Sequence, residues 1–182
     1  MRTFITSDLH FGHANILKYN PATRPYANVS HMNSEMVRVW NETVQPDDTV
    51  YILGDVAFMK PNDAANLIQQ LNGNKILIKG NHDGRIVSDK NCRQCFAEIH
   101  SYYEVTMLGA KVCMFHYPIA EWNQCHRGSV QLHGHLHGKP SGLEQYRVRD
   151  VGVDATGNIV SDLEEIVRSA LNGELKTHGD GY

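Results

Sequence analysis

Three short apolar runs, "RTFITSD" (2–8), "TVYILGD" (49–55) and "KILIKGN" (75–81), rise through β-branched residues and stop on a carboxylate or a carboxamide. Runs of this length and composition favour strands, and a polar stop favours the end of one. In an open α/β sheet, ligands bind in the crevice beyond the carboxyl ends of the strands. Asp8, Asp55 and Asn81 are thereby candidates for one shared rim.

Four more runs follow: "YYEVTML" (102–108), "KVCMFHY" (111–117), "SVQLHGH" (129–135) and "YRVRDVGVD" (146–154). Helical spacing separates the early ones. Residues 29–44 place Met32, Met36, Val37 and Trp40 on one face, with Ser30 as the expected N-cap. Residues 60–73 open with Pro61 and close at Gly73, and residues 160–173 take Ser161 or Asp162 as cap. Strand–helix alternation in the first half suggests βαβ units, while the second half reads as a mixed or antiparallel portion. The expected architecture is α/β, two mixed β-sheets packed as a sandwich flanked by α-helices. A chain of 182 residues is sized for one such domain, 1–182. Its end, 176–182, is expected to be loosely ordered.

With 41% hydrophobic and 20% charged residues the chain has a globular composition. The net charge of −3 offers no bulk attraction to nucleic acid or to a membrane surface. No run approaches the ~18 apolar residues of a membrane span, and "MRTFITSDLHFGH" lacks the apolar core of a leader, so a cytoplasmic protein is expected. Cys92, Cys95, Cys113 and Cys125 then read as free thiols; "CRQC" lacks the second pair that a zinc site would want.

The polar stops carry more than turn chemistry. Asp8 and His10 are two apart, which in extended backbone puts both on one face, and His135 with His137 repeats the spacing. Gly54 and Gly80 precede Asp55 and Asn81, where they permit close backbone approach. Taken singly, each residue has an ordinary explanation as a turn former or a surface imidazole. Together, five segments present ligand-capable groups: "SDLH", "LGDV", "KGNHD", "MFHYP" and "HGHLHG". Solvated turns would not require this, and a metal site would. His133 shares the parity of His135, but its simpler reading is a strand residue.

The ordered series D-x-H, G-D, G-N-H-D, H and G-H-x-H, spanning Asp8 to His137, resembles the calcineurin-like metallophosphoesterases. "SDLHFGHANI" further resembles a compact branch of that family. The resemblance implies two divalent metal ions, one held by Asp8, His10, Asp55 and His137. The other would be held by Asp55, Asn81, His116 and His135, with Asp55 bridging. It implies that His82 faces the substrate phosphate, oriented by Asp83. The mixed His, Asp and Asn donors suit Mn²⁺, Fe²⁺, Zn²⁺, Co²⁺ or Ni²⁺ better than Ca²⁺ or Mg²⁺, and Mn²⁺ is favoured. His13, Arg24 and Arg85 are candidates for substrate binding, the arginines at the rim as bidentate phosphate partners.

Two cations about 3.5–4 Å apart would neutralise phosphoryl oxygens and lower the pKa of a bridging water, whose hydroxide attacks phosphorus in line. His82 would assist the leaving group. The implied activity is a phosphoesterase that prefers phosphodiesters, such as small or cyclic nucleotides, over phosphomonoesters. A non-catalytic metal-binding scaffold would be expected to have lost some of these residues. A nuclease would be expected to show a basic groove.

Overall fold

The computed structural model describes residues 1–176, and most of the 176–182 tail lies outside them. Lys176 does not fit the loose tail: it is buried, and its Nζ donates to the Ala120 carbonyl and to Glu121.

The first sheet contains β1 (Thr3–Thr6), β2 (Thr49–Ile52), β3 (Asn74–Ile78) and β4 (Glu98–His100), all parallel in the order β4-β3-β2-β1. The second contains β5 (Tyr103–Met107), β6 (Ala110–Met114), β7 (Val130–His133) and β8 (Val148–Asp150). There β5 and β6 form an antiparallel hairpin, while β6–β7 and β7–β8 run parallel. A two-residue strand β9 (Ser161–Asp162) closes the first sheet, antiparallel to β1.

Side-chain alternation on the parallel strands explains the layering. Val50 and Ile52 face one way with Phe4 and Leu77; Tyr51 and Leu53 face the other with Ile5, Ile76 and Ile78. The first set packs under two helices, α2 (Val29–Thr43) and α3 (Pro61–Ile68), which follow a four-residue α1 (Ile16–Tyr19). Met32, Met36 and Trp40 of α2 are fully buried there. The second set meets Val112, Met114, Val130 and Leu132 of the other sheet, forming the sandwich interior. Short helices α4 (Gly84–Ser88), α5 (Lys90–Arg93) and α6 (Val153–Thr156) precede α7 (Leu163–Leu171), which covers the sheet edges through Leu163, Val167 and Ala170.

Three local expectations differ. Asn28, not Ser30, caps α2: its extended backbone lets the side chain accept from His31 N at 2.9 Å. α3 ends at Ile68 and leaves a turn before Gly73, whose φ of +87° steers the chain into β3. The run 146–154 is a strand only to Asp150, after which Gly152 and Val153 start α6. The four cysteines are free thiols; burial pushes those of Cys92 and Cys113 up to about 11, which keeps them protonated and unreactive. Among the described residues no helix is long and apolar enough to cross a membrane.

Candidate metal centre and active site

Parallel pairing continues past the strand ends and binds the first two loops together. Asp8 N donates to Gly54 O and His10 N to Asp55 O, both at 3.0 Å. Extended geometry is not what aligns these side chains. Asp8, His10 and Asp55 have φ of +57°, +50° and +55°, and His135 and His137 have +72° and +52°. Positive φ is uncommon for residues with a Cβ. The two-residue spacing therefore gathers side chains through left-handed turns beyond the strands, not through strand parity. Glycine allows the loops to touch: a Cβ on Gly54 would collide with the Gly80 backbone and His116, and one on Gly134 with Ser7 and Asp8.

His10 Nε2 lies 3.7 Å from Asp8 Oδ1 and 3.8 Å from Asp55 Oδ2. His137 Nε2 lies 3.9 Å from the same Asp8 oxygen. On the other side, His116 Nε2 is 3.6 Å from Asp55 Oδ2 and 2.9 Å from Asn81 Oδ1. His135 joins this side, its ring 5.1 Å from that of His116 and its backbone N donating to Asp8 Oδ2 at 2.8 Å. The ligand atoms of Asp8, His10 and His137 come within 4.8 Å of one another, as do those of Asp8, Asp55 and His116.

Several of these atoms have nothing to bond. Asp8 Oδ1 and both ring nitrogens of His10 are buried without a hydrogen-bond partner. His116 Nδ1–H donates to Leu53 O at 2.6 Å, so its Nε2 carries a lone pair facing the oxygen of Asn81. His137 is set in the same way: Nδ1–H donates to Asp154 Oδ2 at 2.7 Å, turning Nε2 towards Asp8. Together with Asp8 Oδ1 and one nitrogen of His10, these groups bring several ligand-capable atoms to one place.

Buried partners hold the arrangement. Asp154 accepts from Arg24 Nε at 2.8 Å, Thr23 Oγ1 at 2.5 Å and Asn20 Nδ2 at 3.1 Å. Burial raises its carboxyl pKa, but the bonds from His137 and Arg24 outweigh this and hold it well below the usual carboxylate range. The same partnership leaves His137 raised despite its own burial. Arg24 was expected at the rim; it is instead 1% exposed, and also donates to Asp8 O at 2.7 Å and Leu9 O at 3.1 Å. It braces the backbone beneath the cluster and has no route to a substrate.

Asp83 likewise does not touch the His82 ring. Its fully buried carboxylate accepts from the backbone N–H groups of Asp55, Val56 and Gly80 at 2.8–2.9 Å, clasping two loops. Burial pushes its pKa up against those three bonds. His82 is placed by its own backbone N, which donates to Asp55 Oδ1 at 2.9 Å. Its side chain is 47% exposed, with Nε2 4.0 Å from Asp55 Oδ2. Phe58 packs against it at 4.5 Å between ring centroids and against His13 at 4.3 Å. His13, 5.6 Å from the His10 ring, has its pKa lowered first by burial and then by neighbouring imidazoles. Arg85 lies on α4, exposed along a cleft that begins at Asn81 and His82. His133 closes β7, buried, with Nδ1–H donating to Gly134 O at 2.8 Å.

Comparison with known proteins decides the family. The calcineurin-like phosphoesterase family profile matches residues 1–174. The chain belongs to that family. This phosphoesterase is 35% identical over 138 residues to the uncharacterized protein MJ1445 of Methanocaldococcus jannaschii, covering 75% of this chain and 69% of that protein. It is 27% identical over 189 residues to the gene 66 protein of Mycobacterium phage L5, covering 87% and 89%. Among solved structures, AQ665 of Aquifex aeolicus, a protein of unknown function, superposes with a TM-score of 0.72 at 24% identity, covering 92% and 98% of the two chains.

The donor set of this phosphoesterase fits the metal dependence of its family. The unpartnered buried polar atoms of Asp8 and His10 are expensive in a protein interior unless a cation receives them. Asp154 and Phe58 are functional candidates that the sequence reading missed. Asp154 carries the same signal as Asp8 and Asp55, an apolar run stopping on Asp, but the run 146–154 reads as one strand. Phe58 had no such signal; only the fold brings it between His13 and His82.

Proposed function

We propose that the protein hydrolyses phosphodiesters of small or cyclic nucleotides, using two divalent ions, with Mn²⁺ as the working metal. The carrying observation is the position of Asp55 Oδ2, 3.8 Å from His10 Nε2, 3.6 Å from His116 Nε2 and 4.0 Å from His82 Nε2. One carboxylate oxygen thus faces both imidazole groups and the exposed histidine. In this reading Asp8, His10, Asp55 and His137 hold one ion, and Asp55, Asn81, His116 and His135 hold the other. Bound there, the pair of cations supplies charge neutralisation of the phosphoryl oxygens and a more acidic water.

The chain's own groups do the rest. Neutral imidazoles, with tautomers set by Leu53 and Asp154, complete coordination without adding negative charge that would repel an anionic substrate. As the attacking oxygen bonds to phosphorus and the P–O bond to the alcohol breaks, His82 gives its proton to the departing oxygen. A diester has the poorer leaving group and gains most from that proton. His13, stacked on Phe58, is the further candidate for contact with the phosphate.

Hydrolysis of bis(4-nitrophenyl) phosphate and of 4-nitrophenyl phosphate, measured side by side with Mn²⁺, tests the reading. The diester is expected to turn over faster, and His82→Ala to lose about 10²–10⁴ in its rate. Faster monoester hydrolysis would make the protein a phosphomonoesterase. No turnover with any divalent metal would withdraw the enzymatic reading.

A further inference from the structure

Two clefts flank Asn81 at the mouth of the centre. One, of 420 Å³, passes Phe115 and Tyr117. The other, of 620 Å³, passes His82 between the 57–61 loop and α4. The second has the chemistry of a specific site. Phe58, Met59, Pro61 and Ile86 give it an apolar wall, Lys60 and Arg85 give it two cations, and no carboxylate lines it. Neither cation makes a side-chain hydrogen bond or ion pair with a described residue. The cleft beside His133 is built differently: its lining balances Lys139 and Arg149 with Glu144 and Asp150. At 620 Å³ the His82 cleft also falls within the roughly 300–1,000 Å³ of small-molecule sites.

His82 assigns this cleft a direction. A proton donor must lie against the oxygen that departs, so the leaving group enters the cleft that His82 lines. Its ring leans on Phe58, the first residue of the apolar wall. We propose that this cleft binds the leaving group of the phosphodiester, and that the leaving alcohol carries a phosphate of its own, as a nucleoside monophosphate does. The inference rests on the phosphodiesterase reading and narrows its substrate class. The base and sugar lie along Phe58, Met59 and Ile86. The terminal phosphate is taken bidentately by the Arg85 guanidinium, with the Lys60 ammonium as a second charge. Hydrolysis adds water across the scissile P–O bond. One product is a phosphomonoester; the other is the nucleoside that keeps its original phosphate and gains the His82 proton on its hydroxyl.

The double variant Lys60→Gln, Arg85→Gln tests this in two independent ways. The first is a specificity ratio, kcat/KM for the 5′-phosphorylated dinucleotide pApA over that for ApA. It is expected to favour pApA in the wild type and to fall about ten- to a hundred-fold in the variant, the scale of losing charge-assisted hydrogen bonds. The second is calorimetric binding of adenosine 3′,5′-bisphosphate to metal-free protein, which needs no turnover; the variant is expected to weaken it at least tenfold. An unchanged ratio, or unchanged bisphosphate affinity, overturns the assignment of the cleft. Failure of every diester to react, with binding lost in the variant, would remove the phosphodiesterase reading and leave the cleft as an anion site.

Discussion

Asp154 shows how one charged side chain can serve two neighbours at once. Towards His137 it accepts the Nδ1 proton at 2.7 Å, and towards Arg24 it neutralises a guanidinium that is 0% exposed in its side chain. Both depend on the carboxylate being charged. Asp154→Asn keeps the shape and removes the charge, so both should suffer. Partners that orient a ligating histidine are worth about 10–100-fold in metal affinity, so Mn²⁺ titration calorimetry should show a loss in that range. Leaving the Arg24 charge unpaired should cost about 3–5 kcal/mol in urea unfolding. A variant with unaltered Mn²⁺ affinity would show that His137 needs no such support. Arg24 also explains why a residue-by-residue reading fails here. Arginine within "ATRPY" invites a phosphate role, but its partner Asp154 is 130 positions away and only the folded chain brings them together.

At the level of elements, what the sequence disclosed followed from periodicity, and what it hid followed from tertiary contact. β1, β2 and β3 were readable because each is an apolar run with its own polar stop. β4 and β9 were not, since "EIH" and "SD" become strands only by pairing with β3 and β1. The seven proposed ligands could be named in advance because their spacing follows a family pattern. Their left-handed backbone could not, because extended and turned chains both allow a two-residue repeat. The β5–β6 hairpin carries a polar cluster with no outward sign in its apolar runs. Glu104 on β5 accepts from Lys111 on β6 at 2.7 Å, from Tyr102 at 2.7 Å and from Asn123 at 3.0 Å. Lys111 chiefly, with burial opposing, pulls the Glu104 carboxyl down from 4.5 to about 2. A depressed acid stabilises the fold above its unfolded pKa and loses that contribution as pH falls through its folded pKa. Glu104→Gln should therefore lower the urea midpoint by its full amount above about pH 4.5, and the gap to wild type should close as pH approaches 2. An equal gap at pH 6 and pH 2.5 would show that the cluster acts through shape alone.

Across the whole molecule, the sandwich works as a frame that forces incompatible groups together. Of the seven non-glycine residues with positive φ among those described, five are proposed ligands: Asp8, His10, Asp55, His135 and His137. Such backbone costs of order 1–3 kcal/mol per residue and persists only where the surroundings over-determine it. Here the surroundings are the parallel β1–β2 pairing that runs on into both loops, the Asp83 clasp and the close approach at Gly54. Buried lone pairs on Asp8 and His10 add to the cost. A cation that binds the folded chain and not the unfolded one should offset it by mass action. At a free concentration of one hundred times its Kd, one ion contributes about 2.7 kcal/mol. For a domain of this size each kcal/mol moves Tm by about 2–4 °C, so saturating Mn²⁺ should raise Tm by roughly 5–10 °C per site over chelator-treated protein. The increment should shrink sharply in His10→Ala, which removes a donor common to both the Asp8 and Asp55 contacts. Calorimetric melts with and without Mn²⁺ measure it directly. A Tm indifferent to every divalent ion would mean that the clustered acceptors are not a metal centre, and the strained loops would then need another explanation.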